Sequence, residues 1–358
     1  MNRLLALLAV LFALAAPACT NLLVGKKASK NGACFITYSA DSYGMYGRML
    51  HYPAGKHAPG TMRKIVDGDT HKPLGEIPEA PYTYNVVGNI NEHQVAITET
   101  TFGGREELWP KNPVGGIDYV SLMALGLQRA KTAREAIRVM TDLVARYGYA
   151  SEGESFSVAD PNEAWILEMI GKGDSVKGAV WVAVRIPDDC ISAHANQSRI
   201  HRFNLKDKKN VMYARDVISF ARSKGYFKGH DDEFSFSDAF APADFSSQRF
   251  CEARVWSLFN HFTTGMDKYV PFVDGKHIGT SEVMPLYVKP TQLLSLEDVM
   301  SAMRDHYENT PFDGTKDAGS GVWGAPYRPS PLTWEHEGKK YFNERPVSTH
   351  PASFVIVC

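Results

Sequence analysis

The chain lacks a dominant charge. Its 39 lysines and arginines stand against 40 aspartates and glutamates, a formal net charge of −1. That balance excludes the basic footprint of a nucleic-acid binder. Cysteine is scarce: Cys19, Cys34, Cys190, Cys251 and Cys358 are the only five, and none forms a Cys-x-x-Cys pair. Neither a disulfide scaffold nor a structural zinc site is expected from them, and whether the last four pair with one another stays open. There is no His-Glu-x-x-His among the twelve histidines, so a zinc peptidase is disfavoured and no metal or other cofactor is expected. The Gly-x-Ser-x-Gly elbow and the glycine-rich phosphate loop are absent too, which removes the usual motifs of serine hydrolases and nucleotide binders. Beyond residue 18 no apolar run reaches the ~20 residues of a membrane span. No repeat, low-complexity tract or clean linker interrupts the chain. What remains is globular composition, 44% hydrophobic and 22% charged over 358 residues, enough for one large domain or two.

The first eighteen residues read as an address. Met-Asn-Arg is followed by Leu4 to Ala16 without a polar residue, then Ala16-Pro17-Ala18. A basic start, an apolar run of about 7 to 15 residues and an Ala-x-Ala-like end describe a secretory signal peptide. The expected division is therefore 1–18 as signal and 19–358 as the working domain, secreted or periplasmic. Cleavage after Ala18 would make Cys19 the new N-terminus. Three readings compete there. Cys19 is an ordinary cysteine beside a misplaced cleavage site, an acylated lipoprotein anchor, or a nucleophile. Ala16 and Pro17 suit a lipoprotein signal poorly. The catalytic reading has a chemical basis, because an N-terminal cysteine carries a thiol and an α-amine with a reference pKa near 7.7 to 8 on one residue.

Downstream, Cys19 to Ser29 and Ala33 to Ser42 are β-rich runs on either side of Asn31-Gly32, which predicts a hairpin. Antiparallel pairing then brings Asp41, at the end of the second strand, beside Cys19. Further β-like runs are Tyr82 to Val87, Gln94 to Thr100, Trp165 to Ile170, Ala179 to Ile186 and Ile191 to Ala195. Helical patterns occupy Ile117 to Ala130, a segment capped by Thr132 with Glu135, and Tyr213 to Ser223, Phe250 to Phe262 and Glu297 to Tyr307. Helices between blocks of strands suit a layered α+β fold.

The run Cys19-Thr20-Asn21-Leu22-Leu23-Val24-Gly25-Lys26-Lys27-Ala28-Ser29, with a second strand ending Ala40-Asp41-Ser42, resembles the N-terminal-nucleophile dipeptidases. These form the dipeptidase A and secernin group of cysteine peptidases, related to bile salt hydrolases and penicillin acylases. The likeness continues through Gly153 to Asp160, Glu163 to Glu168, Arg185 to Asp189, His194 to Ile200, Gly324 to Arg328 and Glu344 to Thr349. Single motifs are weak; their order and spacing are specific. The resemblance implies a four-layer αββα sandwich, with two antiparallel sheets flanked by helices.

It also implies roles. Cys19 matches the nucleophile and Asp41 the acid that orients it. Relatives carry an arginine shortly before that acid, whereas this chain has Tyr38-Ser39-Ala40-Asp41; Arg48 is a candidate substitute. Asn196 matches the asparagine that donates to the oxyanion. Arg254 matches a late arginine near the nucleophile, with Arg249 as an alternative register. Glu99 aligns with a pocket position, and a carboxylate there suits the free ammonium of a dipeptide. His194 lies beside a matched motif, but core packing outweighs catalysis for it. The expected function is an exported cysteine dipeptidase acting on short peptides without a cofactor, with no nucleic acid or membrane span involved and a homo-oligomer left open. The alternatives are an acyl-amide hydrolase of the same fold and a catalytically weakened, lipid-anchored envelope protein. The chain also stops at Cys358 within a strand-like run, where relatives continue, so a C-terminally shortened form is expected.

Overall fold

The computed structural model describes residues 19–42, 47, 49–111, 115–276, 278, 282–328 and 333–358. The proposed signal 1–18 and Arg48 lie outside the described residues.

Eight strands carry the architecture: β1 (Asn21–Val24), β2 (Phe35–Asp41), β3 (Ala96–Gly103), β4 (Gly153–Ala159), β5 (Ala164–Gly171), β6 (Ala179–Ile186), β7 (Ile191–His194) and β8 (Ala352–Val357). They join two antiparallel sheets. One runs Tyr287–Val288, β7, β1, β2, β8. The other runs Val211–Tyr213, β6, β5, β4, β3, then Ile90–Asn91, Val86–Val87 and His51–Tyr52. The principal helices are α1 (Tyr119–Arg129), α2 (Ala133–Tyr147) and α3 (Ala253–Phe262).

Apart from β8, whose residues are half-buried to exposed, the strands are mostly buried on both faces, and alternation sorts their side chains into three large cores. On β5, Trp165, Leu167 and Met169 pack beneath α1 and α2, with Leu122, Ile137 and Met140. Ala164, Ile166 and Ile170 of the same strand point the other way, into a core shared with Leu23 and Ile36 of the second sheet. Leu22 and Val24 face outward from that sheet onto Val255, Trp256 and Phe259 of α3. Helices, sheet, sheet and helices follow in order, the αββα sandwich that the resemblance implies.

Local signals explain most element ends. Asp118 caps α1, accepting from the Val120 and Ser121 amides, so the helix starts just after the predicted Ile117. Thr132 caps α2 as predicted, a contact worth about 1 kcal/mol. Glu135 reaches back to the Lys131 amide rather than to Thr132, so the box is displaced by one residue.

Three expectations shift. The Asn31-Gly32 hairpin is instead a ten-residue connection, Gly25 to Cys34, although β1 and β2 do pair antiparallel. Gly25 is needed where it leaves β1, because a Cβ there would meet the Asp188 carbonyl oxygen at 2.4 Å. The helix expected from Tyr213 begins at Val217, since Val211–Tyr213 pairs with β6 as an edge strand. The one expected to reach Tyr307 ends at Ala302, and Tyr307 itself sits at φ 66.

Candidate active site

Cys19 lies just ahead of β1, 4% exposed. A bridge between Thr20 and Ser39 extends the β1–β2 register to its neighbourhood. Its backbone N–H donates to Asn196 Oδ1 at 2.8 Å. Its carbonyl accepts from Arg254 at 2.6 Å. The sulfur lies 4.0 Å from the Tyr38 hydroxyl and 4.0 Å from Glu99 Oε1. Burial raises the thiol pKa well above its ordinary value, and the charges of Glu99 and Asp41 push the same way; hydrogen bonds from the Asp41 backbone and Tyr38 oppose them. The sulfur is therefore a buried thiol that needs a base to ionise.

Arg254 is 1% exposed and projects from the first turn of α3, directly after a short π-helix, Ser247–Glu252. Its guanidinium makes five hydrogen bonds: to the carbonyls of Phe250, Cys19 and Ala195, to Thr20 Oγ1 and to Asn196 Oδ1. The planar fork suits this many fixed acceptors. Arg249, the alternative register, pairs instead with Glu344 and stacks on Phe312 with its guanidinium carbon 4.1 Å from the ring centre.

Asn196 follows β7 at φ 64, a left-handed conformation that asparagine tolerates better than most residues. Its Oδ1 takes both Cys19 N–H and Arg254, and its Nδ2 donates to the Thr101 carbonyl at 2.7 Å. The loop beyond it is fixed by Glu168, which is fully buried and accepts from Ser198 Oγ at 2.5 Å and the Arg199 amide at 2.6 Å. A cavity of about 420 Å³ opens beside Asn196, lined by Phe102, Arg105, Gln197, Asp244, Ser247 and Cys251 among others.

Asp41 is 3% exposed. It accepts from Ser39 Oγ at 3.0 Å and from Arg345 at 2.5 Å. Burial still holds its carboxyl above the usual range, with Arg345 drawing it down. Arg345 thus supplies a cation for Asp41 from 304 residues away in sequence. The Tyr307 hydroxyl, donating to the Arg345 carbonyl at 2.7 Å, fixes that segment.

Glu99 is 1% exposed on β3 and accepts from the Tyr38 hydroxyl. Burial raises its carboxyl to about 7. His194 is fully buried between the sheets, held by Thr100 at 2.7 Å and Ser157 at 2.8 Å. Burial lowers its pKa to about 3, so it is a neutral core histidine. All five cysteines are free thiols. Among the described residues no cluster of His, Cys, Asp and Glu is placed to hold a metal ion, and no helix is long and apolar enough to cross a membrane.

Cys19, Asp41, Glu99, Asn196 and Arg254 thus converge, while Arg249 points into a separate contact. Sequence reasoning passed over Tyr38, Asn21 and Arg345. Arg345 lies within a motif that carries the resemblance, but nothing local ties it to Asp41. Asn21, whose amide bridges Thr98 and Ser157 across the two sheets, sits inside the Cys19 motif.

A model of peptidase family C69 matches residues 47–355, a stretch that takes in Glu99, Asn196, Arg254 and Arg345 and begins after Cys19 and Asp41. The chain is 27% identical to a probable dipeptidase of Salmonella dublin over 83% of its own length and 68% of the relative's. It is 29% identical to a probable dipeptidase of Latilactobacillus sakei over 83% and 62%, and 28% identical to dipeptidase A of Lactobacillus helveticus over 87% and 66%. It spans about two thirds or less of the length of these relatives.

Proposed function

The chain belongs to peptidase family C69, and from that premise we propose that it is an exported cysteine dipeptidase whose nucleophile is Cys19. The observation that carries this is the seating of one buried cysteine by both its backbone groups, its N–H on Asn196 and its carbonyl on Arg254, with a carboxylate 4.0 Å from its sulfur. The names of the relatives support peptide hydrolysis.

In this reading a signal peptidase cleaves after Ala18, and the nitrogen held by Asn196 Oδ1 becomes a free α-amine. An α-amine has a reference pKa near 7.7 to 8, in the range that lets it take the thiol proton at neutral pH. No cation lowers the thiol pKa enough to replace it, since the main influences on Cys19 are burial and two carboxylates. The thiolate then attacks the scissile carbonyl. The protonated amine passes its proton to the leaving nitrogen, leaving an acyl group on sulfur. The neutral amine next takes a proton from water as the water attacks the thioester, which releases the acid and restores the thiol. Asn196 Nδ2 spends one N–H on Thr101 and has a second for the oxyanion. Arg254 keeps the nucleophile in register, and Asp41 with Arg345 closes the end of β2 beside it. Glu99 faces the substrate's ammonium. The cavity beside Asn196 is within the size range of small-ligand pockets.

The test is hydrolysis of a dipeptide panel by the mature protein and its variants. Cys19→Ala is expected to lose at least about 10³-fold in kcat/KM, and Cys19→Ser to retain far less than the wild type. Comparable turnover by the alanine variant would reject the mechanism.

A further inference from the structure

Glu154 stands diagonally across from Glu99. The register pairs Glu99 with Phe156 and Thr101 with Glu154, and such diagonal neighbours share one face of the sheet. Both glutamates are 1% exposed. Glu99 Oε1 is taken by Tyr38 and faces the sulfur of Cys19 at 4.0 Å. Glu154 Oε1 is taken by Thr101 Oγ1 at 2.9 Å. Among the described residues the other oxygen of each, Oε2, has no partner beyond the neighbouring glutamate, and the hydroxyl of Tyr149, which is 7% exposed, has none. Unpartnered polar atoms in a protein interior are rare because each costs about 1–3 kcal/mol. Three of them here belong to groups that act on one another: Tyr149 feels Glu154 and Glu99 most strongly among its charged neighbours.

Among the described residues no cation is a main influence on either carboxyl. The main influences on Glu99 are burial, Tyr38, Glu154 and Asp69, and those on Glu154 are burial, Glu99, Thr101 and Glu152. Burial pushes both carboxyls up, Glu99 to about 7 and Glu154 well above the usual range. Two buried carboxyls that act on one another favour sharing one proton over both ionising, which leaves a single negative charge. A single organic cation balances that charge, whereas a divalent metal would need more ligands than this pair offers.

We propose that Glu99 Oε2, Glu154 Oε2 and the Tyr149 hydroxyl seat the N-terminal ammonium of the substrate, and that Glu154 determines specificity for peptides with a free amine. This rests on reading the site as a dipeptidase. An ammonium has three N–H donors, and the seat offers three oxygens, two of which have only a shared proton between them. In an α-amino acid residue the nitrogen is two bonds from the carbonyl carbon, so a seat beside the attacking sulfur selects cleavage after the first residue. The same geometry leaves no place for an acylated N-terminus.

The test measures binding by calorimetry to the mature Cys19→Ala chain, which cannot turn substrate over, using alanyl-alanine and its N-acetyl derivative. The acetylated peptide is expected to bind at least tenfold more weakly. Adding Glu154→Gln should weaken alanyl-alanine about tenfold and leave the acetylated peptide within twofold, and Glu154→Asp should recover part of the loss. Equal affinity of Cys19→Ala for the two peptides, or equal weakening of both by Glu154→Gln, would overturn the seat. Should Glu154→Gln fail to fold, Tyr149→Phe serves as the second variant against the same pair of peptides. Wild-type turnover separates this from the wider reading. A protein that discriminates the peptides without hydrolysing them keeps the seat and loses the dipeptidase; one that hydrolyses both with equal kcat/KM loses the seat alone.

Discussion

The two flanks of Cys19 are built on opposite terms. On one, Arg254, Asn196, Asp41 and Arg345 interlock. The guanidinium of Arg254 makes five hydrogen bonds, Asn196 Oδ1 takes two donors, and Asp41 has both Ser39 and Arg345. On the other, Glu99 and Glu154 each keep a buried oxygen with no donor outside the pair, and Tyr149 keeps a hydroxyl without one. Asp118, which influences Tyr149, keeps an oxygen without one too. Both flanks are largely buried, with Asn196 the half-buried exception, so exposure does little to separate them. The difference teaches which groups hold and which wait. A saturated network fixes the nucleophile in one place, while an unsaturated one carries a cost that a ligand can relieve.

The comparison can be broken from either flank. The largest effect is expected for Arg254→Ala. It strips buried acceptors on three separate segments at once, and each orphan costs about 1–3 kcal/mol, so a loss of at least about 3 kcal/mol is expected in urea unfolding. Arg254→Lys should recover only part, because an ammonium cannot reproduce the fork. A midpoint unchanged by Arg254→Ala would mean that this flank is not a clamp.

Arg345→Ala comes next. It leaves Asp41 buried without its cation and should cost about 1–3 kcal/mol at pH 7. The Asp41 carboxyl, already held up by burial, then rises further. A protonated acid needs no cation, so the deficit relative to wild type should shrink as the pH falls towards 4. A deficit that does not depend on pH would locate the role of Arg345 elsewhere.

The smallest effect sharpens the acidic flank. Glu99 has a folded pKa of about 7 against an ordinary 4.5. The folded state therefore binds more protons than the unfolded state between these values, and stability falls as pH rises through that window. Glu99→Gln removes this titration. Its melting temperature should vary less between pH 4.5 and 7 than that of the wild type and exceed it at the upper end. Parallel curves would make Glu99 a structural residue like Glu168.

Much of this was legible in the sequence where the signal is local. Thr132 announces its helix, and β-like apolar runs mark β5 to β7. The resemblance carried the fold and brought Cys19, Asp41, Glu99, Asn196 and Arg254 to one place. What stayed hidden is long-range. No spacing says that Arg345 meets Asp41, because the contact exists only once β8 lies beside β2. Glu154 reads as an ordinary strand residue until the register with β3 sets it diagonal to Glu99. The hairpin forms, but its connection is longer than the turn signal alone suggests. Asn31-Gly32 is a turn signal, but Gly25 must first pass against the backbone of Asp188, which draws the connection out to ten residues.

The claim at the centre is that one residue supplies both nucleophile and base. Mass spectrometry of the N-terminal peptide of the active, exported protein tests it most directly. A chain that starts at Cys19 with an unmodified α-amine is the predicted result. An active protein whose Cys19 amine is acylated, or whose chain still carries residues ahead of Cys19, would contradict it.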